Sequence, residues 1–109
     1  MNIEFIKWLF EKAEGYEYEE YGFIRTPDNY FYEFLSENRV MRYYTIDYPL
    51  LLQRAIEGVN RDSDYWIWQT PCKICITDRG EGLGEILIEY NPEEKESALL
   101  YIYEQELNK

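Results

Sequence analysis

Three stretches of this chain repeat apolar residues at helical spacing, and the two stretches between them do not. Ile3, Ile6, Leu9, Phe10 and Ala13 make the first stripe. Asn2 stands where an N-cap belongs and Gly15 where a helix stops, so a helix is expected over residues 3–14. The second stretch opens at Tyr48-Pro49, where proline suits the first helical turn because its missing N–H has no bond to lose there. Leu52, Ala55, Ile56 and Val59 supply its buried stripe, ending near Asn60. The third is launched by Asn91-Pro92-Glu93-Glu94, in which Asn91 can cap and Glu94 can reach back to form a capping box. Its inward residues are expected to be Ala98, Leu99, Ile102 and Leu107.

The intervening segments read with period two. Tyr16 and Tyr18 alternate with Glu17 and Glu19, and Tyr30, Tyr32 and Phe34 alternate with Phe31, Glu33 and Leu35. Turn chemistry at Thr26-Pro27-Asp28-Asn29 and at Ser36-Glu37-Asn38-Arg39 divides them and leads to a further strand over Val40–Ile46, an antiparallel meander. After the central helix come strand segments at Tyr65–Gln69, Cys72–Thr77 and Glu85–Tyr90, parted by Thr70-Pro71 and by the glycine-rich loop from Asp78 to Gly84. The expected class is α+β: one antiparallel sheet of about five or six strands, with N-terminal, central and C-terminal helices packed mainly on one face, in a single domain of 109 residues.

Charge restricts the partners. The chain carries 22 acidic and 11 basic residues and no histidine, a net charge of −11. It repels phosphate backbones and anionic lipid, so neither direct nucleic-acid binding nor a membrane surface is expected. No apolar run approaches the roughly 20 residues of a membrane span. The N-terminal residues MNIEFIKWLFEK lack a signal peptide's basic-then-apolar order, and two closely spaced cysteines do not make a secreted disulfide framework, so a cytoplasmic setting is expected.

None of the chemical motifs is complete. Cys72-Lys73-Ile74-Cys75 has zinc-like spacing but neither a third cysteine nor a histidine to complete a tetrahedral site. Asn60-Arg61-Asp62-Ser63-Asp64 starts like a calcium loop, then places Tyr65 where glycine is required and Pro71 where a chelating glutamate belongs. Gly80-Glu81-Gly82-Leu83-Gly84 precedes a strand and sets carboxylates where a phosphate would sit. Without histidine the commonest general base is missing, leaving carboxylate pairs as the remaining route to an enzyme. No cofactor, metal site or catalytic residue is assigned.

Tyr48-Pro49-Leu50-Leu51-Leu52-Gln53-Arg54-Ala55-Ile56-Glu57-Gly58-Val59-Asn60 resembles a block found in small bacteriophage and prophage proteins. Phe5-Ile6-Lys7-Trp8 with Lys12-Ala13-Glu14-Gly15, and Leu100 to Glu106, are similar as well. The resemblance covers the three helical segments and implies a viral accessory protein; it carries over no catalytic residue.

The stretch Glu14 to Phe23 crowds carboxylates among tyrosines. One account is an edge strand whose charges prevent aggregation. The other is a contact surface for a protein partner: Glu17, Glu19, Glu20 and Tyr21, together with Trp66 and Trp68, whose strand is apolar on both faces, and Glu93, Glu94 and Glu96. The partner would present a basic surface, the carboxylates standing in for phosphates. The alternative is a homodimer in which the uncovered aromatic face meets its twin.

Overall fold

The computed structural model describes residues 3–18, 23–25, 31–33, 48–79 and 85–108. The chain divides into two compact units, Met1–Ala55 and Ile56–Lys109.

In the first unit, α1 (Ile3–Lys12) is apolar around more of its circumference than the expected stripe, for Phe5 and Trp8 are buried along with Ile6, Leu9, Phe10 and Ala13. The Phe5 and Trp8 rings stack at 6.0 Å, and the Lys12 ammonium lies 5.7 Å above the indole. Gly15 ends the helical path with φ of 90°, a left-handed conformation in which any Cβ would crowd the backbone. That reversal returns Tyr16 to α1, where its ring meets Phe10 at 5.6 Å and its N–H donates to the Ala13 carbonyl. The chain continues into β1 (Glu17–Tyr18), which packs against α1 and pairs antiparallel with β2 (Phe23–Arg25); β2 pairs in turn with β3 (Phe31–Glu33). The strand expected over Val40–Ile46 lies outside the described residues.

Helix α2 (Tyr48–Asp62) buries Leu51, Leu52, Ala55, Ile56 and Val59, and the boundary between the units falls within it. The second unit continues with β4 (Tyr65–Gln69), β5 (Ile74–Asp78) and β6 (Ile86–Tyr90), an antiparallel meander in that order, and closes with α3 (Lys95–Leu107) lying against β5 and β6. Thr70 builds the β4–β5 turn: its hydroxyl accepts from the N–H groups of Cys72 and Lys73 and donates to the Lys73 carbonyl, while its own N–H bonds that same carbonyl. One residue thus makes four polar contacts of a tight hairpin, three of them through its hydroxyl, and Pro71 sits where no N–H is needed.

The single sheet of five or six strands is not formed. Among the described residues there are two separate sheets of three strands, β1-β2-β3 and β4-β5-β6. The α+β class and the three helices stand, but the helices do not share one sheet face: α1 packs on β1 and α3 on β5 and β6. The physical reason is visible at the outer edge of β4. Asn60 inserts its amide there, accepting the Ile67 N–H at 2.7 Å and donating to the Ile67 carbonyl at 3.0 Å. A side-chain amide has taken the place of a neighbouring strand, and the sheet stops. Ser63 does the same at Tyr65, accepting its N–H at 3.3 Å while donating to Glu106 at 3.0 Å.

The third helix also starts later than expected. Asn91 to Glu94 form a turn in which Glu94 N–H bonds the Asn91 carbonyl and the Glu94 carboxylate accepts the Asn91 N–H at 3.0 Å. The reach-back of a capping box is present, but Asn91 returns no side-chain cap and the helix begins at Lys95. Ala98, Leu99 and Ile102 are buried with Tyr103, whereas Leu107 is 64% exposed. The inward row ends instead at Glu106, the partner of Ser63.

Candidate contact face

The strand register of the second sheet sorts its side chains into two faces. Ile67, Ile74 and Ile76 point to one side and are buried, with α3 lying against that sheet. The other side carries Trp66, Thr77 and Ile86 in one row and Trp68, Cys75 and Glu89 in the next. Arg79 continues the β5 alternation beyond the strand end, its N–H bonded to the Asp64 carbonyl at 2.9 Å.

This outer face is closed by its own large side chains. The Trp66 and Trp68 rings sit 5.3 Å apart, tilted by 41°, and the Trp68 indole N–H donates to the Thr77 hydroxyl at 3.1 Å. Beside them Cys75 and Thr77 are 6% and 9% exposed, while Trp68 and Ile86 are each 53% exposed. Small residues are thus sheltered where large ones face solvent. Leu87, at the register shift between β5 and β6, is exposed as well. Exposed aromatic and branched side chains gathered on one sheet face are a usual mark of a contact region.

Two cations frame the tryptophans. At one end Lys73 bonds Glu89 at 3.0 Å, and that hydrogen bond with the carboxylate's charge holds the ammonium above a lysine's ordinary value. The Cys75 thiol reaches the same carboxylate at 4.0 Å. At the other end the Arg79 guanidinium lies over the Trp66 ring, 4.4 Å from its centroid.

The expected site residues divide. Trp66 and Trp68 are brought together, and the strand is apolar on both faces as its sequence indicates. Glu93 and Glu96 are exposed around the start of α3; Glu94 is half-buried and engaged with Asn91. Glu17 lies on β1 with its side chain outside the described residues, as are Glu19, Glu20 and Tyr21 entirely. Cys72 is exposed in the turn and Cys75 is buried, so the two thiols do not share a site, and among the described residues no three metal-binding side chains gather. The residues from Asn60 to Asp64 form a helix end and a bend. Lys73, Thr77, Arg79 and Ile86 were not singled out in the sequence. Counting along both strands from the Thr70–Lys73 turn would have placed Thr77 beside Trp66 and Arg79 opposite Asp64.

No family model, no curated protein and no solved structure matches the chain. Among the described residues no helix is long and apolar enough to cross a membrane.

Proposed function

We propose that the chain is a non-enzymatic protein-binding module, a phage or prophage accessory protein as its helical segments suggest, and that it meets its partner through the outer face of β4–β5–β6. The observation that carries this reading is the exposure of Trp68 and Ile86 over a sheet whose edges are guarded. Asn60 and Ser63 occupy the β4 edge, a bulge interrupts β6, and Glu94 takes the Asn91 N–H just past it. Strand addition is thereby discouraged, and the face is what a partner meets. The net charge of −11 selects a partner whose surrounding surface is basic, with the exposed Glu93 and Glu96 standing in for phosphates.

The experiment is capture from bacterial lysate on immobilised wild-type chain and on Trp68→Ala, at low and at high salt. A partner retained by the wild type, lost with the variant and released by salt supports the reading. A partner indifferent to Trp68 overturns it. The second reading, a homodimer, draws on the same exposed Trp68 and Ile86; light scattering showing a tight dimer, with Trp68 emission shifted to the blue and no host protein recovered, would establish it in place of the first.

A further inference from the structure

Of the two cations on the outer face, Lys73 holds a carboxylate and, among the described residues, Arg79 does not. Carboxylates outnumber cations two to one here, 22 to 11, yet among the described residues no carboxylate reaches ion-pair distance of the Arg79 guanidinium. Lys73, on the same face, is engaged by Glu89 at 3.0 Å. Asp64, directly opposite Arg79, meets it through the main chain. The guanidinium is instead held over Trp66, next to Trp68 and the exposed Ile86. A cation–π contact uses none of the guanidinium's N–H donors, and these form the fork that fits a carboxylate.

Resting on the reading of the face as a contact surface, we propose that Arg79 is a specificity anchor for a carboxylate on the partner, presented by an Asp or Glu that stands beside an apolar side chain seated on Trp68 and Ile86. The centre of the contact therefore reverses the sign of the molecule: a basic partner surface meets the acidic body, and one acid within it meets Arg79. A carboxylate is favoured over a phosphate because the chain's net charge of −11 opposes a dianion more than a monoanion, and because Lys73, the other cation of this face, is already engaged by Glu89. A second copy is disfavoured as occupant, since it brings a further charge of −11.

The test is selection of random displayed heptapeptides on the wild-type chain, on Arg79→Gln and on Arg79→Glu, with unfolding curves confirming that the exposed substitutions leave the fold intact. The wild type is expected to enrich Asp or Glu adjacent to Leu, Ile, Phe or Trp. Arg79→Gln should weaken those peptides at least tenfold, and Arg79→Glu should enrich Lys or Arg at the same position. Identical selections on wild type and Arg79→Glu, enrichment of basic peptides by the wild type, or no enrichment at all would overturn the proposal. So would a wild-type dimer that Arg79→Glu dissociates. Loss of host capture with Trp68→Ala but not with Arg79→Glu removes this inference alone; retention with Trp68→Ala removes the contact face itself.

Discussion

The two faces of the β4–β5–β6 sheet are both apolar, yet they are sealed by different means. The inner face has an aliphatic centre of Ile67, Ile74 and Ile76, with Tyr90 at its rim, and is packed in the unit that α3 completes. The outer face shelters Cys75 and Thr77 beside two indoles, one hydrogen-bonded to Thr77 and the other lying under Arg79. An aliphatic centre leaves no side-chain polar group to satisfy and gains by exclusion of water alone. An aromatic face with polar tips tolerates water on one side and an occupant later, so the same sheet can be a core on one side and a meeting surface on the other.

The largest effect should come from the inner face. Ile76→Ala removes branched methyl groups from a fully buried site and is expected to cost about 3 kcal/mol in denaturant unfolding, because a cavity remains where the side chain was. A loss below about 1 kcal/mol would mean that this face collapses easily and is not the closer-packed of the two.

Next in size is the edge that limits both faces. Asn60→Ala strips the Ile67 N–H and carbonyl of their partners and is expected to cost about 2 kcal/mol, with concentration-dependent association as the β4 edge opens. Asn60→Asp preserves the acceptor and loses the donor, so it should fall between wild type and alanine unless the carboxylate, facing the Ile67 carbonyl, is the worse of the two. Unchanged stability and solubility in Asn60→Ala would show that water replaces the amide without loss.

The outer face should matter least to stability and most to binding. Trp68→Ala is expected to cost about 1 kcal/mol, less than a buried aromatic, since half of its surface is in water in the free chain. Its effect on partner capture should be complete by comparison. A loss as large as that of Ile76→Ala would make Trp68 a core residue and dissolve the distinction between the faces.

How far these faces were legible depended on distance along the chain. The Trp66-Ile67-Trp68 alternation announced a strand apolar on both sides, and Thr70-Pro71 announced a turn. Local periodicity and turn chemistry carry such information without knowledge of tertiary partners. Sheet membership was not legible, because six strand-like segments can join in one sheet or in two, and what ends the sheet at β4 is a bond between Asn60 and Ile67, seven residues apart across a helix end. In the sequence Asn60 reads as the end of the central helix and the start of an incomplete calcium loop. The role of Arg79 was hidden for the same reason: in the sequence it is one cation at the mouth of a glycine-rich loop, and only the register lays it on Trp66. Leu107 is hydrophobic yet exposed, because the inward row ends on Glu106, whose polarity Ser63 satisfies.

The smallest effect concerns the rims of the two faces at alkaline pH. Tyr90 stands on the inner side, paired with Ile74, and its phenol is held above the ordinary tyrosine value of 10.0, chiefly by burial and then by the charges of Tyr101, Glu104 and Glu94. Lys73, at the outer rim, is held above 10.5 by its hydrogen bond to Glu89 and that carboxylate's charge. Both shifts are upward, so each group binds its proton more tightly in the folded chain, and the stability linked to it is complete below the unfolded value and lost as pH climbs through the folded one. The loss should therefore begin near pH 10.0 through Tyr90 and continue past 10.5 through Lys73. Absorbance titration at 295 nm should show one late-ionising phenol that disappears in Tyr90→Phe, and the same variant should flatten the first part of the alkaline decline in melting temperature. The Lys73 contribution should be smaller and fade in high salt, because that pair lies in solvent where ions screen it. If Lys73→Met flattened the decline more than Tyr90→Phe, the outer rim would be the tighter of the two, and the helix-packed face would not be the one that resists water.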